Sequence, residues 1–305
     1  QTGTIPEKTP LIALVGNPNV GKSSVFNLLT GLHQHTGNWS GKTVSNTLGS
    51  MTVRNTDFLI ADLPGTYSLS PESAEEAQAR SFIAFSDPDL IVYVCSATAL
   101  ERNLFLFYAL TAYAKPMILC VNMTDEAETR GEKIDYAALE KALGVRVCPF
   151  CAKKKQGLSE LKDRIYETFE QPLLPPPSPH FGEKEEEIIA ELCTSLPSPS
   201  ECKSVPPRVV AVNAIMGNAD FVTEWFDCTS PPFDSPSDIL SKAADLLSRH
   251  GTDKETFSAA VSAHTVDFCK DIVRRCVKKG KPQNSRADRI LTGKVFSFPV
   301  MLLLL

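Results

Sequence analysis

The chain has 305 residues, a net charge of -5, and 43% hydrophobic against 22% charged residues. That is the composition of a folded protein with length for two domains of ordinary size. The acidic balance argues against a nucleic-acid partner, because phosphate binding needs a concentrated basic face. Nine scattered cysteines, an odd number in a long chain, argue against a secreted disulfide framework.

Residues 1–10 form a polar tail without an apolar signal segment. From residue 11 to 170, short apolar runs alternate with helical patterns. Leu11–Val15, Phe58–Ala61, Leu90–Val94, Met117–Val121 and the shorter Val145–Cys148 read as buried strands. Helices are expected at 22–31, 75–85, 100–114, 135–143 and 157–169, and Thr43–Asn55 as an antiparallel edge strand. This order predicts a mostly parallel sheet covered on both faces. Residues 171–182 are crowded with proline and read as a stiff linker. Residues 183–284 carry helical patterns at 183–195, 207–215, 218–227, 236–249 and 253–278, with no strand pattern. The fold class expected is α/β, a phosphate-loop domain followed by a small all-α domain.

Residues 285–305 end in an almost wholly apolar run, Phe296–Leu305, behind Lys278, Lys279, Lys281 and Arg286. The run is short of the roughly 20 residues a spanning helix needs. The basic flank suits the cytoplasmic boundary of a membrane segment, so this stretch is expected to start one. The competing expectation is a terminal helix packed on the protein's own core.

Four motifs carry chemistry. Gly16-Asn17-Pro18-Asn19-Val20-Gly21-Lys22-Ser23, followed by Ser24, fits the phosphate loop between a strand and a helix. Its N–H groups and the helix N-terminus attract phosphate, Lys22 reaches the β- and γ-phosphates, and the Ser23 hydroxyl suits Mg²⁺. Asp62-Leu-Pro-Gly65 follows the next strand; Asp62 suits Mg²⁺ and the Gly65 N–H a γ-phosphate. Asn122-Met123-Thr124-Asp125 follows a third strand. The Asp125 carboxylate accepts the guanine N1 and N2 hydrogens, a donor pair that adenine lacks. Met123 stands where lysine is usual, and its stem covers the base. Cys151-Ala152-Lys153 stands where Ser-Ala-Lys is usual, with the Ala152 N–H facing the guanine O6. All four lie at strand ends, where α/β sheets bind ligands.

Together with Thr36-Gly-Asn-Trp-Ser-Gly-Lys-Thr-Val44 and Asp62-Leu-Pro-Gly-Thr-Tyr-Ser-Leu69, these motifs resemble the cytosolic G domain of the ferrous-iron transporter B (FeoB) family. The likeness is specific over 11–170 and looser through the helical part, which resembles that family's helical regulatory domain. It implies a GTPase that binds GTP or GDP with Mg²⁺, with slow hydrolysis stimulated by K⁺. Thr43 would be the switch threonine on Mg²⁺. Asn19, with Gly37 and Trp39, would hold K⁺, so that Lys22, Thr43, Gly65 and Asn19 carry catalysis. The partner implied is a membrane-embedded Fe²⁺ transport domain of the same longer chain, at the cytoplasmic face of the cell membrane, and an oligomer stays open. Ser40 and Lys42 depart from the family's usual Pro and Val.

The alternative function is a soluble assembly GTPase on ribosome or tRNA, which wants a basic appendage that this acidic chain lacks. A binding module without turnover also stays open, since Thr66 stands where Ras-like enzymes have glutamine. His33 and His35 are two possible metal ligands and read as loop residues. The Cys148–Cys151 pair lacks a second pair for zinc and reads as core. Tyr67 is a candidate for packing under the switch.

Overall fold

The computed structural model describes residues 9–31, 34–37, 46–69, 73–171, 173–197, 205–229 and 233–280, with the backbone alone for 34–37 and 46. The chain runs β1 (Leu11–Gly16), α1 (Lys22–Thr30), β2 (Gln34–Gly37), β3 (Asn46–Val53), β4 (Thr56–Asp62), α2 (Ala74–Phe85), β5 (Leu90–Ser96) and α3 (Leu100–Thr111). It continues through β6 (Met117–Asn122), α4 (Thr124–Thr129), β7 (Glu132–Ile134), α5 (Tyr136–Leu143), β8 (Arg146–Pro149) and α6 (Leu158–Glu170).

The main sheet has the order β2-β3-β4-β1-β5-β6-β8. β4, β1, β5, β6 and β8 are parallel, and β3 is antiparallel to both its neighbours. The parallel strands are continuous apolar runs because helices cover both faces. Along β1, Leu11, Ala13 and Val15 face one core while Ile12 and Leu14 face the other. β3 and β4 join through Arg54 and Asn55, both at positive φ (49° and 66°), the two-residue turn whose twist matches a hairpin. The antiparallel strand expected from 43–55 therefore exists as 46–53, but β2 pairs outside it and takes the edge.

Beyond the linker come α7 (Glu183–Cys193), α8 (Pro207–Ile215), α9 (Ala219–Thr229), α10 (Pro236–Arg249) and α11 (Lys254–Cys276). Sequence signals fix several ends. Pro236 opens α10 behind a Ser235–Asp238 capping box, and Asp253 caps α11 by accepting from Thr256 N–H at 2.7 Å.

The helical region is not purely helical. β9 (Val277–Lys279) pairs antiparallel with β7, a correction to the expectation of no strand there. The 23-residue α11 packs against α3 and α5 as well as α7, so its core is continuous with one side of the sheet. Among the described residues, no helix is long and apolar enough to cross a membrane. The apolar run 296–305 lies outside the described residues.

Candidate functional site

The loop between β1 and α1 passes the carboxyl ends of β4, β5 and β6. Gly21 has φ 83°, and a Cβ there would stand 2.4 Å from the Asn122 amide nitrogen, so only glycine fits. No side chain caps the N-terminus of α1, whose first N–H groups open toward the loop as an anion site. Lys22 is buried and its ammonium pairs with the Asp62 carboxylate. Ser23 Oγ lies 3.4 Å from the other Asp62 oxygen. Lysine ammonium, serine hydroxyl and aspartate thus converge as one cation and hard oxygen donors, the donor set that suits a phosphate with Mg²⁺.

The Asp62–Gly65 turn is held on this loop. Leu63 N–H donates to the Leu14 carbonyl at 3.1 Å and Thr66 N–H to the Gly16 carbonyl at 3.3 Å. Gly65 packs against Pro18, where a Cβ would meet the proline Cα at 3.1 Å. Thr66 is buried, and its hydroxyl meets the Ser68 carbonyl at 2.5 Å and Glu76 Oε1 at 3.0 Å. Glu76 also accepts from Tyr67 N–H at 3.1 Å. Tyr67 is exposed and lies 4.4 Å beneath the Arg102 guanidinium.

The loops after β6 and β8 meet on Asn122. Its amide donates to the Val20 carbonyl at 2.9 Å and accepts from Ala152 N–H at 3.0 Å, tying three loops together. Met123 sits at φ 62°, and Ser96 Oγ approaches its sulfur at 3.4 Å. Asp125 stands in the first turn of α4 with Lys154 Nζ 3.7 Å away. A hydrogen bond from the Cys151 thiol outweighs the opposing desolvation and, with Lys154 nearby, holds its carboxyl below the ordinary aspartate range. Gly21, Ser24, Asn122, Met123, Asp125 and Cys151–Lys153 line a pocket of about 430 Å³. That is room for a small ligand, with a carboxylate on one wall and a thioether on another.

The structure refines one sequence expectation. The Asn17 side chain turns inward, with its oxygen 2.6 Å from the Tyr93 hydroxyl, so only its backbone faces the loop mouth. Asn19 is exposed at φ 63°. Gly37 ends β2, while His33, Trp39, Ser40, Lys42 and Thr43 lie outside the described residues, as does the His35 side chain. Cys148 and Cys151 are buried thiols, and no group of three or more metal-binding side chains occurs among the described residues. Sequence reasoning missed Glu76, whose signal was Ser73-x-x-Glu76, a capping pattern. It also missed Lys154 and Asn103, which steadies β5 by accepting from Ser96 N–H at 2.7 Å.

The model of the family described as "Ferrous iron transport protein B" matches residues 10–165. The chain belongs to this FeoB family. A FeoA–FeoB fusion protein of Porphyromonas gingivalis is 32% identical across 96% of this chain and 35% of its own length. The Fe(2+) transporter FeoB of Staphylococcus aureus is 32% identical across 95% of this chain and 42% of its own length. The chain therefore spans about two-fifths or less of these FeoB relatives. The cytosolic domain of T. maritima FeoB in a GDP form superposes with a TM-score of 0.75 at 28% identity, covering 90% of this chain and all of that one. The cytosolic domain of L. pneumophila FeoB gives 0.73 at 27% identity, covering 88% and 100%. The FeoB G domain, to which the matched residues 10–165 belong, is a GTP-binding phosphate-loop fold.

Proposed function

We propose that this chain is the GTP-hydrolysing cytosolic part of a membrane ferrous-iron transporter, and that its nucleotide state regulates or drives Fe²⁺ uptake at the cytoplasmic face. The observation that carries this is Asn122, which joins the phosphate loop at Val20 to the base loop at Ala152 beside Asp125. The relatives named as Fe(2+) transporters supply the cargo.

Gly16–Ser24 wrap the phosphates through backbone N–H groups, with Val20 and Asn17 contributing main chain only. Lys22 leaves Asp62 for the β- and γ-phosphates. Ser23, Asp62 and Thr43 would hold Mg²⁺, which neutralises charge on the transferring phosphoryl. Asp125 reads guanine, Met123 covers the base, and Cys151–Lys153 close its O6 side. Asn19, with carbonyls of Gly37 and Trp39, would hold K⁺, supplying the positive charge an arginine finger gives elsewhere. Gly65 senses the γ-phosphate. Thr66 faces inward and offers nothing to the attacking water, which supports slow turnover. Residues 183–284 regulate nucleotide release through α2 and α3, and 285–305 lead to the membrane domain.

The test is Fe²⁺ uptake by the full-length protein in a bacterial strain lacking its own ferrous-iron importers. Lys22→Ala and Asp125→Ala should each reduce uptake to background while the protein stays in the membrane. Uptake unchanged by both would refute the assignment.

A further inference from the structure

The run Leu90–Cys95 of β5 is apolar except for one hydroxyl, that of Tyr93. Burying a hydroxyl costs free energy unless it is hydrogen-bonded, and phenylalanine would fill the same space without that cost. Tyr93 is fully buried, and its ring meets Phe107 of α3 edge-on, with centroids 5.8 Å apart. Its hydroxyl lies 2.6 Å from the Asn17 side-chain oxygen and 2.6 Å from the Asn103 carbonyl. Burial raises its pKa, so the phenol stays a neutral donor at neutral pH. One hydroxyl thus spans the gap between the phosphate loop and α3.

The α3 end of this span is firm. Asn103 is buried, and its side-chain oxygen accepts from Ser96 N–H at 2.7 Å, which fastens α3 to the end of β5. Further along α3, the Tyr108 ring stacks on Phe268 of α11, with centroids 4.1 Å apart. The loop end carries the Asp62–Gly65 turn. Thr66 N–H donates to the Gly16 carbonyl at 3.3 Å, and a Cβ on Gly65 would stand 3.1 Å from Pro18 Cα. A Cβ on Gly16 would stand 2.3 Å from the Val94 carbonyl oxygen, so the loop starts flat against β5. Asn17 is the middle one of these three loop residues, and its side chain reaches inward to Tyr93.

We propose that Tyr93 is a positioning residue for the triphosphate: by holding Asn17 it sets the gap between the phosphate loop and Gly65, where the γ-phosphate is read. The proposal rests on the nucleotide reading of the main site. It implies a defect confined to the γ-phosphate end. The spacing of the phosphate loop from the base loops is held by other bonds, those of Asn122 with Val20 and Ala152.

The test measures affinity for GDP and for the non-hydrolysable analogue GMPPNP, and kcat for GTP, on the whole chain and its variants. Tyr93→Phe removes the hydroxyl and keeps the ring. GMPPNP affinity should fall by about 2- to 10-fold, the worth of one hydrogen bond, with GDP affinity unchanged. The kcat for GTP should fall by roughly tenfold, because hydrolysis is sensitive to small misplacement of the reacting group. Asn17→Ala cuts the same bond from the loop side and should give the same pattern, which carries the test even where Tyr93→Phe does not fold. The double variant should lose no more than the worse single one, since both remove one interaction. Phe107→Leu loosens the same core and leaves the hydroxyl in place. It should lower the melting temperature with the GMPPNP-to-GDP affinity ratio unchanged, the result that separates positioning from general stability. A ratio unchanged in Tyr93→Phe and Asn17→Ala, a ratio that falls equally in Phe107→Leu, or fully additive losses in the double variant would overturn the proposal. Failure of the nucleotide reading shows separately, as no GDP binding by the unmodified chain.

Discussion

The side-chain amide of Asn122 donates to the Val20 carbonyl at 2.9 Å, across 102 residues of sequence. The same side chain accepts from Ala152 N–H. One buried residue therefore sets the distance between the loop for phosphate and the loops for the base. Asn122→Ala strands a buried carbonyl and an N–H, at a cost of about 1–3 kcal/mol. Affinity for GDP and GTP should fall together by roughly tenfold or more, read by titration with a fluorescent nucleotide. Unchanged affinity would mean that the loops hold their spacing without the bridge.

Arg80 on α2 is buried beneath the helical region, with its guanidinium 5.0 Å over the Phe221 ring. Burial lowers its pKa. Ser81 Oγ beside it donates to Glu224 at 2.6 Å, so α2 docks on α9 through both. Arg80→Ala should destabilise the protein by about 2–3 kcal/mol, since a desolvated cation–π contact is worth about 2 kcal/mol or more. Arg80→Met should recover most of that loss, because replacing a buried charge by a fitting apolar side chain is often neutral. Denaturant melts of the two variants check the order.

The parallel strands were legible because burial on both faces demands unbroken apolar runs such as Leu90–Val94 and Met117–Val121. β9 was not, because Val277-Lys278-Lys279 has no pattern of its own and exists through pairing with Glu132–Ile134. α4 was missed for a similar reason: Thr124–Thr129 is six residues with one buried side chain, Ala127. In the site, motif spacing named Lys22, Asp62, Gly65, Asn122 and Asp125, which the fold carries on neighbouring loops at the strand ends. It did not show that Asn17 faces Tyr93 or that Glu76 holds Thr66, since both depend on contacts between separate elements.

Hydrolysis should be faster in K⁺ than in Na⁺, with Asn19→Ala abolishing the difference. Turnover without partners should stay below about 1 s⁻¹, since the Thr66 hydroxyl is taken up by the Ser68 carbonyl and Glu76. Phosphate release measured in the two salts decides this. Equal rates for the unmodified protein would count against the cation site.

The Asp125 carboxyl is held below its ordinary pKa of 3.8, first by the Cys151 thiol. It is therefore ionised, and able to accept from guanine, at every pH above the ordinary aspartate range. This contribution to guanine binding should be constant from neutral pH down to about pH 5 and be lost only as the carboxyl protonates, below the ordinary aspartate range. A drop in GDP affinity centred near neutrality, in calorimetric titrations at several pH values, would assign the base contact to another group.

The most direct test is base selectivity. GDP and GTP should bind with dissociation constants of about micromolar order, or roughly -8 kcal/mol, and ATP should compete far more weakly. Asp125→Asn should shift preference toward xanthosine nucleotides, whose O2 accepts where guanine donates. Titration of labelled GDP against GTP, ATP and xanthosine diphosphate, for the protein and the variant, reads both. Equal affinity for ATP and GTP, or a variant that keeps its guanine preference, would contradict the assignment of Asp125 and of the pocket beside it.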